Sequence, residues 1–373
     1  MNFSMLHFVT QSSNVSPLCV IRREMNFKLF SFAFGHVSRQ FNSFLYGQNE
    51  KSRIFIGNSV FKQFLQSSIV IKSNNNYNSG VFISFVNVFK NCRGTDGSAI
   101  LFNSNGNQTV IKNAFYDCRV TRNGGAIYTT AYEFVCESCC CFWCCQGLAS
   151  YCYGSTIYSL SNRIVKLNNI MNFQCPSVLE SPWHLQIIIL GGKSQINSIN
   201  FSFSGSQYST GMALDTSNAS NVRYVVTHAS KSGNSFQVST KSNDPEILTE
   251  YISFLNNTNT KGLIYLCGAV GSIYRCLFYG NSGSIGFSDC AGSSLSIYNS
   301  YFDKNPSWGS GISTHVSCTF NFNTLTNLPY HMINEDSCIL SMFGPKYALG
   351  NTCNYQNFMP HLTLLISLLL WAQ

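Results

Sequence analysis

Short apolar stretches that alternate with polar residues recur along most of the chain. Thr109-Val-Ile-Lys-Asn-Ala-Phe115 and Ser294-Leu-Ser-Ile-Tyr-Asn-Ser-Tyr-Phe302 are two examples, rich in β-branched and aromatic residues. Apolar stretches of about four to eight residues, bounded by Asn, Ser and Gly, predict β-strands. The repeated segments contain no long window with the 3.6-residue period of a helix, so the pattern predicts an all-β protein.

A phenylalanine recurs at near-constant spacing and marks a repeat unit. In the second half the repeat reads Phe-x-x-Asn, 24 residues apart each time, and begins at Phe254, Phe278 and Phe302. In the first half it reads Phe-x-x-Cys, 26 and 27 residues apart, and begins at Phe89, Phe115 and Phe142. Looser matches extend the series at Phe61, at Ile170 with Phe173, at Phe201 with Ser204, and at His228. These segments indicate ten repeats with a mean step near 27 residues.

A glycine motif begins eight to twelve residues after the Phe of each Phe-x-x-Cys. It reads Gly-Ser-Ala-Ile, Gly-Gly-Ala-Ile and Gly-Ser-Thr-Ile, and begins at Gly97, Gly124 and Gly154. Weaker versions begin at Gly211, Gly262 and Gly283. Glycine permits a tight backbone bend, so we expect each motif to start the next inward strand.

The repeat length selects one architecture. Periods of about 20 to 50 residues indicate solenoids or propellers, and propeller blades need about 40 residues or more. We therefore predict a parallel β-helix with about ten coils of about 27 residues. Its phenylalanines should stack inside the cylinder. The Asn of Phe-x-x-Asn should adopt the left-handed conformation and bond to its copies above and below.

Three segments follow from this pattern. Residues 51–345 form the predicted β-helix, and residues 1–50 form an N-terminal cap or early coils. Residues 346–373 form a C-terminal tail that contains a short apolar segment, residues 360–372. A bilayer span needs about 18–20 apolar residues, so this segment is too short to span a membrane alone. It is interpreted as part of a truncated transmembrane helix, as a shallow membrane anchor or as a buried terminal helix. The first residues lack a clear signal-peptide pattern.

Composition narrows the class of protein further. Apolar residues make up 45% of the 373 residues and charged residues only 10%, which excludes a charged disordered protein or a charged coiled coil. The net charge is +8, but the basic residues are scattered singly, with Arg22-Arg23 the only adjacent pair. Nucleic-acid binders concentrate positive charge on one face, so we expect no nucleic-acid partner.

The 17 cysteines raise the question of disulfides or metal. Six of them lie within residues 136–145, and two pairs, Cys136-x-x-Cys139 and Cys141-x-x-Cys144, have the spacing of half a zinc site. No histidine is near and the pairs are too close together for a zinc ribbon, so disulfides or buried thiols are the favoured interpretation. On neighbouring coils, Cys92, Cys118 and Cys145 should approach disulfide distance.

Gly-Gly-Ala-Ile together with Phe-x-x-Asn is the motif pair of the chlamydial polymorphic outer-membrane proteins. Gly124-Gly125-Ala126-Ile127 matches the first motif in full, and Asn257, Asn281 and Asn305 complete the second. The chain resembles that family from Phe61 to about Cys338. It resembles more closely the related right-handed β-helix surface proteins that are expanded in parasitic protists such as trichomonads. The resemblance implies that the β-helix is right-handed and of the pectin-lyase-like kind. It also implies a surface protein used in adhesion or antigenic display, commonly with a C-terminal transmembrane segment.

Enzymatic function is the main alternative, because right-handed β-helices also include polysaccharide lyases and hydrolases. Such enzymes need converging carboxylates. Five aspartates lie on separate predicted coils and are expected to be solvated: Asp96, Asp117, Asp215, Asp289 and Asp303. The isolated His228 is expected in the core or in a turn, and Cys152 lacks a histidine partner nearby in sequence. The sequence therefore assigns no catalytic, cofactor-binding or metal-binding residue.

These observations lead to one functional hypothesis and two alternatives. The hypothesis is a non-enzymatic β-helix protein, displayed at the cell surface or associated with a membrane. Like an adhesin or an antigen, it would bind a host or cell-surface protein or glycan. Binding would use outward strands and irregular loops such as Cys175–Trp183. The alternatives are a carbohydrate-active β-helix enzyme, either a lyase or a glycosidase, and a degenerate family copy without function.

Overall fold

The protein folds into a parallel β-solenoid. The structure, a computed structural model, describes residues 2–3, 19–21, 26–30, 45–47, 53–72, 80–144, 153–175, 185–206, 209–215, 218–239, 246–268, 270–284, 286–289, 293–307 and 312–319. Within these ranges all regular structure is β-strand, and the solenoid has about eight turns of about 27 residues. The prediction of an all-β parallel β-helix is confirmed, with slightly fewer turns than the ten expected.

Most strands are short, and 35 of them are described. The strands of the first half are β1 (Asn2–Phe3), β2 (Cys19–Ile21), β3 (Asn26–Phe30), β4 (Leu45–Gly47), β5 (Arg53–Gly57), β6 (Val60–Lys62), β7 (Ile69–Lys72), β8 (Val81–Phe85), β9 (Val88–Lys90), β10 (Arg93–Gly94), β11 (Ile100–Asn103), β12 (Asn107–Ile111), β13 (Ala114–Tyr116), β14 (Arg119–Val120), β15 (Ile127–Thr129), β16 (Glu133–Phe142), β17 (Ile157–Leu160) and β18 (Ile164–Phe173). Those of the second half are β19 (Ile187–Leu190), β20 (Lys193–Ser202), β21 (Ser209–Asp215), β22 (Ser220–His228), β23 (Lys231–Ser232), β24 (Asn234–Ser239), β25 (Glu246–Glu250), β26 (Ser253–Leu255), β27 (Thr258–Asn259), β28 (Ile264–Cys267), β29 (Val270–Tyr274), β30 (Leu277–Tyr279), β31 (Ser282–Gly283), β32 (Phe287–Asp289), β33 (Ser294–Tyr298), β34 (Tyr301–Phe302) and β35 (Ile312–Val316).

Two long parallel sheets run the length of the solenoid. The larger has 19 strands and consists of two neighbouring columns, because most turns enter it with two successive strands. The first column contains β1, β3, β5, β8, β12, β25, β29, β33 and β35, the second contains β6, β9, β13, β26, β30 and β34, and strands β16, β18, β20 and β22 run through both. The other long sheet has 11 strands: β2, β4, β7, β11, β15, β17, β19, β21, β24, β28 and β32. Two short sheets, β10–β14 and β23–β27–β31, follow the second column in some turns.

A residue with left-handed backbone forms each of two corners per turn. The first corner separates the two columns and has φ of 50° to 60° at Asn58, Val86, Lys112, Ser138, Asn169, Ser198, Tyr224, Tyr251, Arg275, Asn299 and Ser317. The second corner ends the second column and has φ of 47° to 66° at Gln63, Asn91, Asp117, Trp143, Gln174, Phe203, Ala229, Asn256 and Gly280. This conformation costs about 1–2 kcal/mol in an L-residue. Hydrogen bonds between turns offset the cost, as where the Asn91 N–H donates to the Tyr116 carbonyl oxygen at 2.9 Å.

A ladder of phenylalanine rings fills the interior beneath the second column, as predicted. Parallel pairing aligns ten residues in this ladder: Phe61, Phe89, Phe115, Cys141, Asn172, Phe201, Thr227, Phe254, Phe278 and Phe302. All ten are buried. The centroid of the Phe89 ring lies 4.8 Å from that of Phe61 and 5.3 Å from that of Phe115, with nearly parallel planes. Near the other end, Phe278 stacks at 5.0 Å on Phe254 and at 4.3 Å on Phe302.

The predicted position of Phe142 in this ladder is wrong. Cys141 pairs with Phe115 and occupies the interior position, whereas Phe142 pairs with Tyr116 on the outside. The Phe-x-x-Cys match at Phe142 is therefore one residue out of register, and Cys144 rather than Cys145 follows the corner. Because successive side chains of a strand point to opposite faces, this single step moves the ring from the core to the outer surface.

Two further predicted ladder positions are also wrong. The repeat match at Ile170 with Phe173 put Ile170 in the phenylalanine position, but the ladder residue after Cys141 is Asn172, two residues later, and Phe173 lies outside in line with Phe142. The residue after Phe201 is the buried Thr227, and the predicted His228 is half-buried beside it. In both turns a polar residue, Asn172 or Thr227, fills the core position.

The asparagine ladder forms, but not in the predicted backbone conformation. The left-handed residue is the one before, Asn256, while Asn257 points into the core. The Asn257 side-chain amide donates to the Thr227 carbonyl oxygen at 2.9 Å and to Oδ1 of Asn281 at 3.1 Å, and its own Oδ1 accepts from the Ser230 N–H. The predicted bonds between copies are thus confirmed for Asn257 and Asn281. The third copy, Asn305, is exposed, so its predicted place in the ladder is wrong.

The glycine motif has the predicted role. Gly97, Gly124 and Gly154 have φ of 53°, 66° and 66°, and each precedes a strand of the 11-stranded sheet. A Cβ atom on Gly124 would lie 2.2 Å from the carbonyl oxygen of Ile127. Only glycine therefore fits this bend without displacing the backbone.

The limits of the three predicted segments fall largely outside the described residues. Within residues 1–50, β3 pairs in parallel with β5, and β4 pairs in parallel with β7. Described residues of the predicted β-helix extend to Thr319. The tail 346–373, with its apolar segment 360–372, and most of the Cys175–Trp183 loop lie outside the described residues, so what the sequence indicates for them stays a prediction.

Candidate functional site: an outer aromatic face and a buried thiol column

Aromatic side chains form a continuous row on the outside of the second column. We call this row, formed by Tyr116, Phe142, Trp143, Phe173 and Phe203, the aromatic face. The ring centroids of Tyr116 and Phe142 are 5.1 Å apart, those of Phe142 and Phe173 are 6.2 Å apart, and those of Phe173 and Phe203 are 5.4 Å apart. The row crosses four successive turns, and the edge of His228 continues it at 5.2 Å from Phe203.

The strand alternation that buries the phenylalanine ladder also builds the aromatic face. In β13 the side chain of Phe115 points inward, so its neighbours Ala114 and Tyr116 point outward. Parallel pairing then places Cys140 and Met171 in line with Ala114. Cys140 and Phe142 are buried by contacts with Tyr116, Met171 and Phe173. These contacts hold the rings of the row against one another.

Two members of the aromatic face are left exposed to solvent. Trp143 is 39% exposed and Phe203 is 47% exposed, and both occupy second corners. The indole N–H of Trp143 donates to Oε1 of Gln174 in the next turn, which fixes the orientation of the ring. Large apolar groups held in fixed orientations at the surface are a feature of protein interaction sites.

Charged side chains border the aromatic face next to Tyr116. Asp117, at the second corner, accepts from Nη2 of Arg93 at 3.1 Å and from Nε of Arg119 at 2.5 Å. Arg93 also donates to the Asp117 carbonyl oxygen at 2.7 Å. One carboxylate therefore positions two guanidinium groups beside the aromatic row.

Other outer rows differ from the aromatic face. On the 11-stranded sheet, Leu185, Ile188 and Ala213 pack together with Tyr158 and are buried rather than exposed. Tyrosines stack in pairs, Tyr224 on Tyr251 at the first corner and Tyr274 on Tyr298 on the first column, with centroids 5.0 Å and 4.7 Å apart. Among the described residues, the aromatic face is thus a continuous aromatic row with two large exposed apolar side chains.

Inside the solenoid, cysteines replace the asparagines in turns of the first half. We call Cys92, Cys118, Cys144 and Cys175 the thiol column. Each directly follows a second-corner residue, and all four are buried and not disulfide-bonded. In later turns the same position holds Ser204, Ser230, Asn257 and Asn281.

The sulfur atoms of the column contact one another from turn to turn. Cys118 lies within hydrogen-bonding reach of Cys92 on one side and of Cys144 on the other. Cys144 also contacts Cys175, whose Sγ accepts from the Cys144 N–H at 3.1 Å. The sequence prediction that cysteines of neighbouring coils approach one another is confirmed for Cys92 and Cys118. Its third member is Cys144 rather than Cys145, which lies outside the described residues.

Burial is the largest factor that raises the pKa of Cys92, Cys118 and Cys144. The contact with Cys118 adds to this effect on the pKa of Cys92, whereas the contacts with Cys118 and Cys141 partly offset it at Cys144. The pKa of Cys276, in a later turn, is raised to about 12 by the same cause. Because the thiolate is the nucleophile and the metal ligand, a thiol with a raised pKa reacts slowly while the protein is folded.

The two Cys-x-x-Cys pairs are buried beside the column. Cys136 contacts Cys139, and this contact is the largest factor that raises the pKa of Cys136; Cys141 contacts Cys144. All four lie in the core. Within the described part of the chain, no group of three or more His, Cys, Asp or Glu side chains is arranged to hold a metal ion.

The carboxylates considered from the sequence are placed differently from the expectation. Asp117 is ion-paired rather than simply solvated, and Oδ1 of Asp96 accepts from the Asn123 N–H at 3.0 Å. Asp303 accepts from the Gly280 N–H. Glu133 pairs with Arg163, and Glu250 pairs with Arg223. These contacts link one turn to the next.

Sequence reasoning missed the aromatic face as a unit. Its signal is present, since Tyr116, Phe142 and Phe173 recur at intervals of 26 and 31 residues. The repeat match placed Phe142 in the inward position and Phe173 in the turn position three residues after Ile170, so the outward row was not recognised. A search that kept the inward and outward positions of each strand separate would have found it.

No helix in the described ranges is long and apolar enough to cross a membrane. Comparisons of the chain with models of protein families, with curated proteins and with solved structures find no match. The features available for assigning a function are therefore the chain's own: the parallel β-solenoid, the aromatic face and the thiol column.

Proposed function

We propose that the chain is a non-enzymatic, surface-displayed β-solenoid that binds a protein partner through the aromatic face, in the manner of an adhesin. The observation that carries the proposal is the exposure of Trp143 and Phe203 on a row of packed rings. Protein interfaces are enriched in Trp, Tyr, Phe, Met and Arg. The aromatic face and its border contain Trp, Tyr, Phe and Arg, and Met171 packs against Phe142.

A protein suits this row better than a glycan does. Tyr116 and Phe142 stack with an interplanar angle of 13°, so each covers a face of the other, and Phe142 is buried. A sugar ring needs an open aromatic face, which this stacked pair does not offer, whereas apolar side chains of a partner protein can pack against the exposed Trp143 and Phe203. The guanidinium groups of Arg93 and Arg119, held by Asp117, add directed donors at the border.

The oxidation state of two cysteines supports surface display. Cys140 and Cys267 each take part in a disulfide bond. Disulfides form and persist in secreted proteins and at cell surfaces, and they are rare in the cytosol. Anchoring through the apolar segment 360–372 is part of the proposal, and it rests on the sequence alone.

A carbohydrate-active enzyme has less support. Its acid and base would be carboxylates that face a bound sugar. Asp96, Asp117, Glu133 and Glu250 instead each form an ion pair with an arginine.

Site-specific photo-crosslinking tests the binding proposal. A benzophenone amino acid is placed at position 203 or, as the control, at position 279 of a tagged chain produced in its native cells. Phe203 and Tyr279 are equally exposed, at 47%, but Tyr279 lies in a later turn, outside the aromatic face. We expect a protein adduct at position 203 and an adduct that is at least tenfold weaker at position 279. Because anchor residues of interfaces contribute about 2 kcal/mol or more, we also expect Trp143→Ser to weaken the adduct about tenfold or more.

Two outcomes would contradict this proposal. Equal adducts at positions 203 and 279 would show that contact with the partner does not depend on the aromatic face. Adducts at position 203 that survive Trp143→Ser unchanged would show that neighbouring rings contribute nothing to binding. The unfolding midpoint of each variant is compared with that of the unmodified chain, so that a variant that fails to fold is recognised.

A further inference from the structure

The thiol column places four thiols in equivalent positions of successive turns. Each cysteine follows a left-handed residue of similar φ, between 47° and 52° at Asn91, Asp117, Trp143 and Gln174. The side chains therefore leave the backbone in the same direction, into the same part of the core. Next to them, β10 pairs with β14 in register, with Arg93 opposite Arg119.

This spacing is close to that of a disulfide. Adjacent strands of a sheet are about 4.8 Å apart, and the Cα atoms of disulfide-bonded cysteines are about 4.4–6.8 Å apart. When two neighbouring side chains leave the backbone in parallel, the distance between their Cβ atoms is about the strand spacing. A disulfide prefers a slightly shorter Cβ–Cβ distance of about 3.8 Å. Tilting two neighbouring Cα–Cβ bonds toward each other removes this difference.

We propose that the thiol column is a site of oxidative modification, in which Cys92 bonds to Cys118 and Cys144 bonds to Cys175, so that each disulfide links two successive turns. This pairing uses all four thiols, whereas a bond between Cys118 and Cys144 would leave both end cysteines without an adjacent member of the column. The short contact from the Cys144 N–H to Sγ of Cys175 also favours the second bond.

The chemistry requires one oxidant of a known class. In each bond-forming step, two thiols lose two protons and two electrons. A small-molecule or protein disulfide accepts them and leaves as two thiols. The exchange passes through a mixed disulfide, so a thiolate must reach the oxidant. In the folded solenoid all four thiols are buried out of reach of an oxidant, so the bonds form during folding, before the next turn covers each sulfur.

A second set of cysteines provides a matched control within the same chain. At the first corner, Cys276 and Cys318 occupy the same position two turns apart, and Ser300 lies between them. The Ser300 hydroxyl oxygen accepts from the Cys276 N–H at 3.1 Å. Two strand spacings, about 9.6 Å, exceed the reach of a disulfide, so these two cysteines should stay reduced. Ser300→Cys would give Cys276 a partner at one spacing.

Refolding with peptide mapping tests the proposal. The reduced chain is refolded in a mixture of oxidised and reduced glutathione, denatured, alkylated without reduction, and digested for mass spectrometry. We expect linked peptides for Cys92–Cys118 and for Cys144–Cys175, and alkylated Cys276. Cys118→Ser should make Cys92 fully alkylatable and leave the Cys144–Cys175 link intact. Ser300→Cys should produce a link to Cys276.

Stability gives a second readout. Each link closes a loop, of 26 and of 31 residues, and two such links should raise the unfolding midpoint by about 5 °C or more. The proposal is overturned if all four column thiols are alkylated in protein that refolds to the native midpoint. It is also overturned if they are linked to cysteines outside the column. Since the test uses purified protein, its result does not depend on surface display or on the aromatic face.

Discussion

Phe89→Ala is expected to lower the free energy of unfolding by about 3–5 kcal/mol, the usual cost of removing a buried aromatic ring. Phe89 is fully buried, and its ring stacks between those of Phe61 and Phe115. The substitution removes both stacking contacts and leaves a cavity beneath the second column. Neighbouring turns cannot close the cavity, because the hydrogen bonds between strands fix their spacing. Denaturant unfolding followed by circular dichroism measures the change.

Phe203→Ala is the matched control for this substitution. It removes the same side chain from a ring that is 47% exposed, at a second corner. We expect a cost of about 1 kcal/mol or less, since surface substitutions away from special features are usually close to neutral. Equal costs at positions 89 and 203 would mean that Phe89 does not lie in a packed ladder, and the assignment of inward and outward faces would fail.

Gly124→Ala is expected to have a comparable effect for a different reason. Its φ of 66° imposes about 1–2 kcal/mol of strain on any L-side chain. The new Cβ would also lie 2.2 Å from the Ile127 carbonyl oxygen, which must move. Overpacking of this kind adds about 1–3 kcal/mol, so the total expected loss in the free energy of unfolding is about 2–5 kcal/mol.

Gly191→Ala separates the two contributions. Gly191 also has a left-handed backbone, with φ of 76°, but the nearest atom to a new Cβ would be the Ser161 carbonyl oxygen at 3.1 Å. The strain remains and most of the clash disappears, so we expect a loss of about 1–2 kcal/mol. If Gly124→Ala cost no more than Gly191→Ala in the same denaturant series, the tight bend of the Gly-Gly-Ala-Ile motif would be disproved.

The sequence was sufficient to predict the repeat and its core where the repeated residue is large and isolated. Phe89, Phe115, Phe254 and Phe278 are each the one aromatic residue with the right spacing at the inward position of a short strand. Their stacking follows directly from the parallel arrangement of equivalent positions. The glycine motif was predictable for a similar reason, since only glycine avoids strain at such a bend.

Prediction failed where neighbouring residues compete for the inward position. The segment Cys139-Cys140-Cys141-Phe142 contains no polar residue that would indicate which side chains face outward. The match to Phe-x-x-Cys therefore placed Phe142, an outward residue, in the inward position. At Asn172 and Phe173 the structure buries the amide and leaves the ring outside. Pairing with Phe201 in the next turn fixes that register. A contact between turns is not visible in a single repeat.

The corners were the least predictable part of the fold. Left-handed backbone occurs at Val86 and Trp143, residues with no intrinsic preference for it. Hydrogen bonds between turns impose the conformation, as where the Trp143 N–H donates to the Phe173 carbonyl oxygen at 3.1 Å. The exposure of Trp143, and with it the aromatic face, follows from the corner geometry rather than from local sequence.

Surface accessibility of the chain in its native cells tests the central functional claim most directly. An epitope tag is inserted between Cys175 and Leu185, in chains with and without residues 360–373, and intact cells are stained in parallel with permeabilised cells. An unchanged unfolding midpoint of the purified tagged protein verifies the fold. We expect staining of intact cells that is lost on deletion of the tail. Staining only after permeabilisation would contradict display at the surface, and with it the proposal that the aromatic face binds a partner there.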